Sequence, residues 1–148
     1  MADSLAGAVL AICSTAQNSD LDQAGFEALT FIDIGNVGSI GEIGTQTNIL
    51  TYDTLDTTVI QKAKGMSNAG DPAIEVARDK TDTGQDALRT AALATSDAYA
   101  FELTMANGDV IYNRGVVSGP TRPMGRNEDF DLEVFQLGLT QVEVIVEA

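Results

Sequence analysis

From residue 99 onward, apolar side chains recur at every second position, and that period restricts the end of the chain to strands with one buried face. Tyr99, Phe101, Leu103 and Met105 alternate with Ala100, Glu102 and Thr104. Asn107-Gly108 follows as the strongest two-residue hairpin signal in the chain, because a type I′ turn needs positive φ at both central positions. Residues 110–117 therefore return as the partner strand. Phe130, Leu132 and Val134 then alternate with Asp129, Asp131 and Glu133. Val142, Val144 and Val146 alternate with Gln141, Glu143 and Ile145. Consecutive strands joined by short turns predict an antiparallel sandwich or barrel and exclude a doubly wound α/β fold.

One helix is expected ahead of this meander, over 81–95. Asp82 stands as N-cap with Gln85 at the capping-box position. Ala87, Leu88, Ala91, Ala92 and Thr95 form a narrow face of small residues that can lie close against a sheet. Upstream, 8–14 and 26–34 read as strands. Gly35, Gly38, Gly41 and Gly44 recur at a spacing of three. The run has no proline and is too short for a triple helix, so it reads as a bulged or bent strand. Residues 59–64 and 72–78 look like two arms of a basic hairpin around a glycine-containing tip. The segment 44–71 is expected to be a long loop, mobile in an isolated subunit.

At 148 residues the chain is expected to form a single domain, 1–148, with one core. Its net charge is −14, and no Lys or Arg precedes Lys62. Direct nucleic-acid binding needs clustered cations, so this balance argues against it. There is no His, which removes the commonest general base and metal ligand. Cys13 is the only cysteine and lies in an apolar run, so it reads as a small core residue. The apolar run 5–13 follows Asp3 and no basic side chain, a poor match to a secretory leader. No apolar run reaches the roughly 20 residues of a membrane-spanning helix.

Individual sites fail on missing residue types. Asp20 and Asp22 begin like a calcium loop, but a ligand is absent at the fifth position and Phe31 stands at the twelfth. Asp129, Asp131 and Glu133 share one strand face, which reads as a solvated face ahead of a cation site. The glycines of 35–44 match neither phosphate-binding pattern. Serines without His disfavour a triad, and the absence of Trp disfavours a sugar-stacking cleft. No enzymatic activity, cofactor or metal is expected.

The order and spacing of these segments resemble the tail tube proteins of long-tailed bacteriophages, the family of the lambda major tail protein. The resemblance covers about residues 52–146. It is carried by the YDTLD segment, QKAKGMSNAGD, the helix TDTGQDALRTAAL, the hairpin YAFELTMANGDVIYNRGVVSG and the strands DFDLEVFQL and TQVEVIV. The N-terminal third matches less well.

The resemblance implies a structural virion protein. Hexameric rings would stack into a hollow tail tube through which DNA leaves the virion, made in the bacterial cytoplasm and located in the tail. It implies self-association, contacts with tape measure, tail terminator and tip proteins, passage of DNA without specific binding, no membrane, and a loop before the helix that orders when rings stack. Six copies would carry about −84 (six times −14), a repulsive field for DNA wherever it faces a lumen. Lumen-facing acids are expected among Glu27, Asp33, Glu42 and Glu75. Interface residues are expected at Lys62, Lys64, Gly65, Gly70, Arg78 and Lys80, with Arg122 and Arg126 on the proline-glycine loop 118–127. The alternatives are a tube subunit of a contractile tail, gene transfer particle or secretion system, or a monomeric β-sandwich binding module.

Overall fold

The structure is a computed structural model that describes residues 6–53, 55, 58–125 and 130–147. Arg126 and Asp129 lie outside the described residues. The elements in chain order are β1 (Val9–Ile12), α1 (Gln23–Glu27), β2 (Ile32–Asp33), β3 (Val37–Ile40), β4 (Gln46–Tyr52) and β5 (Gln61–Asn68). They continue with β6 (Ala73–Ala77), α2 (Thr83–Leu93), β7 (Tyr99–Thr104), β8 (Val110–Thr121), β9 (Leu132–Leu139) and β10 (Val144–Val146). The fold is mainly antiparallel β, as expected. The main sheet runs β2-β1-β7-β8-β9-β6-β3, with β10 also on β8, while β4 and β5 form a separate two-stranded sheet.

Strand order and connectivity together force the main sheet to curl. Its two edge strands, β2 and β3, are joined only through Ile34, Gly35 and Asn36. Seven flat strands would span about 29 Å, six gaps of about 4.8 Å. Four peptide steps from Asp33 to Val37 reach at most about 15 Å. The edges must therefore approach each other. Hydrogen bonds mark the closure: Ile34 N donates to Leu10 O at 2.8 Å and Ala77 N to Asn36 O at 2.9 Å.

Strand alternation gives the sheet two apolar faces. The inner face buries Ile12, Ile74, Val76, Phe101, Phe135, Leu137 and Leu139 against Leu88 and Ala91 of α2. The outer face buries Cys13, Ala100 and Tyr112 against Phe26 of α1. The Phe26 and Tyr112 rings stack with centroids 5.2 Å apart. Cys13 is a core residue, as expected.

Several local expectations require correction. Residues 26–34 are not one strand: α1 occupies their start, because Asp22 caps Gly25 N at 2.8 Å, and only Ile32–Asp33 pairs with β1. The two arms expected at 59–64 and 72–78 do not pair. β5 pairs with β4, and β6 pairs with β3 and β9. The glycine-rich strand is bulged as read, with a register shift between Val37 and Ser39.

On β9 the buried parity is Glu133, Phe135, Leu137 and Leu139, the reverse of the one expected. On this strand one parity is fully buried and the other is half-buried or exposed. The three larger apolar residues at 135, 137 and 139 settle the choice and carry Glu133 inward.

Polar contacts at the start of α2 hold the closure. Asp82 Oδ2 accepts from Gln85 N at 2.9 Å and from Gly35 N at 3.0 Å. Gln85 does not close a capping box. Its fully buried amide donates to Gly35 O at 2.8 Å and Ala77 O at 2.9 Å, and accepts from Asp79 N at 2.9 Å. One side chain thus ties the connector, the end of β6 and the helix together. Gly84 makes this approach possible, since a Cβ there would lie 2.0 Å from Asp33 O. Gly84→Ala is expected to destabilise the protein by at least about 2 kcal/mol through overpacking, measured by denaturant unfolding. A wild-type midpoint would contradict this packing.

Candidate functional site

The described residues contain no cluster of three or more His, Cys, Asp or Glu placed to hold a metal. The calcium-like acids serve local structure instead. Asp22 caps α1, and Asp20 accepts from the Arg114 guanidinium. Arg114 is buried and also donates to Gln141 Oε1 at 3.1 Å and Gln17 O at 3.3 Å, which fastens the 17–21 loop to β8.

Four cations expected near one another are divided by the fold. Lys62 and Lys64 lie on β5, whereas Arg78 and Lys80 follow the far end of β6. Arg78 Nε lies 3.4 Å from Glu133 Oε1 as an ion pair without a hydrogen bond, and Glu133 Oε1 accepts from Arg89 Nε at 3.0 Å and Nη2 at 2.9 Å. Glu133 is only 2% exposed, so these arginines compensate a buried charge. Burial alone would lower the Arg89 pKa, but the hydrogen bond and charge of Glu133, aided by Asp86, raise it overall. The Asp129, Asp131 and Glu133 face is therefore not uniformly solvated. Glu133 is internal, and Asp131 accepts two bonds from Arg122 Nη2, at 2.7 and 2.8 Å.

The expected lumen acids are also dispersed. Glu27 ends α1 and is not on a strand. Asp33 lies in β2 and Glu75 in β6. Glu42 follows β3, in the connection to β4.

The surface that stands out is the β4–β5 hairpin. Of the segment expected to be a loop, Gln46–Tyr52 and Gln61–Asn68 are strands in antiparallel register. From Thr47↔Ser67 to Ile49↔Lys64, β4 advances two residues and β5 three, so Gly65 and Met66 make a bulge. At the base, Gly70 has φ +117 and its N–H donates to Asn68 Oδ1 at 3.0 Å. Nearly every side chain of both strands is exposed. Large apolar residues are included: Ile49 is 67% exposed and Tyr52 72%. A lone two-stranded hairpin is marginally stable in water.

Its two faces differ. Register places Ile49 and Thr51 opposite Lys64 and Lys62 on one face, and Leu50 and Tyr52 opposite Ala63 and Gln61 on the other. Among the described residues, Lys62 and Lys64 form no ion pair, whereas Arg78, Arg89, Arg114 and Arg122 each have at least one. The hairpin thus presents two exposed cations, without an ion-pair partner among the described residues, on a chain of net charge −14.

The proline-glycine loop offers a second exposed group. Met124 and Phe130 are exposed on either side of 126–129. The sequence reading identified Lys62 and Lys64 but missed Ile49, Leu50, Tyr52 and Met66. The available signal was the strand-compatible run 46–52, whose pairing is obscured by the bulge. Comparison of the chain with protein-family models and with curated proteins finds no match.

Acid titration provides a check on the local charge network. Thr81 hydrogen bonds hold the Asp79 carboxyl below its ordinary 3.8, and the Arg122 hydrogen bond does the same for Asp131. Both groups stay ionised more readily when folded. Their contribution is present above 3.8 and is lost as pH falls through the lower folded values. Asp79→Asn/Asp131→Asn is therefore expected to flatten the acid limb of stability below pH 3.8, followed by circular dichroism. An unchanged acid limb would contradict it.

Proposed function

We propose that the chain is a structural virion protein: the subunit of a phage tail tube, assembling into stacked rings around a channel for DNA. The observation that carries the reading is the β4–β5 hairpin, exposed on both faces and bearing apolar side chains beside lysines that have no ion pair among the described residues. Exposed apolar area of this kind marks an interaction surface. The second strand of the hairpin, β5, lies within the segment whose order resembles long-tailed phage tube proteins, ahead of α2. Self-association also gives a use to free strand edges, which otherwise invite indiscriminate pairing.

The charge balance supports the same reading. An assembly of chains with net charge −14 repels DNA wherever acids face the channel. Passage without grip needs no base-reading site. In this reading the proline-glycine loop, with Arg122, Met124 and Phe130, is a second contact region. Tape measure, terminator and tip proteins are the further partners. The virion tail is the location.

Electron microscopy of the purified, concentrated protein tests the proposal. Rings or tubes are expected. A protein that stays strictly monomeric at every concentration would contradict it and favour the binding-module alternative.

A further inference from the structure

The turn between β7 and β8 carries chemistry that assembly does not use. It spans Ala106, Asn107 and Gly108. Met105 N donates to Asp109 O at 2.7 Å, and Gly108 N donates to Met105 O at 3.0 Å. Gly108 takes the left-handed conformation of such three-residue loops, with φ +99. All three turn residues are exposed. Of the seven asparagines in the chain, Asn107 is the one followed by glycine. Asn36 and Asn48 precede the β-branched Val37 and Ile49, and Asn113 is 5% exposed.

The Asn107 side chain is folded along its own backbone. Its Oδ1 accepts from Asp109 N at 3.0 Å, an Asx turn that directs Cγ toward the Gly108 peptide. The same bond draws electron density away from Cγ. Asn107 Nδ2 donates to Asp109 Oδ2 at 3.3 Å. Gly108 brings no side chain to block the approach to its own nitrogen. Asparagine is already among the thermolabile residue types, and here its neighbour, its fold and its exposure all favour reaction.

We propose that Asn107 is a site of self-modification, converted to aspartate and isoaspartate by attack of the following backbone nitrogen. Gly108 N bonds to Asn107 Cγ, and the Cγ–Nδ2 bond breaks. Ammonia leaves with the proton that Gly108 N carried. The cyclic imide then takes up one water. Water entering at Cγ restores the main chain with aspartate at 107. Water entering at the Asn107 backbone carbonyl leaves isoaspartate, with one extra methylene in the main chain. Either product adds one negative charge to the −14 of the chain. The reaction needs no second copy of the protein.

The fold restrains the reaction and is altered by its product. Gly108 N must give up its bond to Met105 O before it attacks, so conversion proceeds from the locally opened turn. A carboxylate at 107 then stands beside Asp109, where the amide donates now, and like charges repel. Isoaspartate also lengthens a loop whose ends are tied at Met105 and Asp109. Ala106 lies beside the entry to β1, since a Cβ on Gly7 would be 3.3 Å from Ala106 Cβ.

Prolonged storage of the full chain in mildly alkaline buffer tests the assignment, read by ion exchange and peptide mass mapping. A more acidic form is expected to accumulate, with conversion at Asn107 and isoaspartate detected there. Asn107→Gln is expected to convert at least about tenfold more slowly, because its longer side chain closes a less favourable ring. A wild-type chain that gains no charge, or equal conversion in Asn107→Gln, would overturn the proposal. So would conversion at Asn36 or Asn48 ahead of Asn107. In the isolated isoaspartate form, the amides of Met105 and Gly108 are expected to exchange faster with solvent. Unchanged exchange there would overturn the effect on the turn.

Discussion

The buried amide of Gln85 and the carboxylate of Asp82 are the contacts on which the curled sheet depends. Three residues join the two edges of a seven-stranded order, and a connector that short cannot bond to both flanking strands throughout. Gly35 would leave its backbone donor and acceptor without strand partners. Asp82 accepts from its N–H and Gln85 donates to its carbonyl. Buried backbone groups left unpaired cost about 1–3 kcal/mol each. The helix start therefore completes the sheet as well as covering it. Arg89 extends the same network from Gln85 to Glu133, so α2 is also fixed by charge to β9.

That rigid closure separates the molecule into parts with different physical character. The sheet and α2 bury almost all their large side chains on two opposed faces. The β4–β5 hairpin leaves that body through Gly44 and Gly70 and buries very little. Its root is tied to the body by Thr45 Oγ1, which donates to Glu143 Oε2 at 3.2 Å. Stable body and uncovered arm suit a protein whose work is association. The same arm would be a liability in a protein that must remain alone.

Period-two patterning made β7, β8 and β10 legible from the sequence, and Asn107-Gly108 fixed the turn between the first two. The cap at Asp82 correctly located α2. What failed were features decided by tertiary pairing. Gln85 looked like a capping-box residue because its spacing is right, yet burial beside Gly35 and Ala77 offers it better partners. Glu133 looked solvated because it alternates with Leu132 and Val134, but the apolar residues following it impose the other parity. The β4–β5 pairing was missed because 72–78 is closer to β5 along the chain. Only the sheet order shows that this strand belongs to β3 and β9. Of the candidate surface, the lysines were legible through charge, while the apolar residues were not, since exposure is a property of the fold.

Hydrogen exchange compared between the dispersed and the assembled protein tests the central claim most directly. In dispersed protein, amides of Gln46–Tyr52 and Gln61–Asn68 should exchange quickly, while those of β7 and β8 are protected. On assembly, the hairpin amides should become protected. A hairpin as strongly protected as β7 before assembly, or one still unprotected afterward, would contradict a stable body that associates through an unpartnered arm.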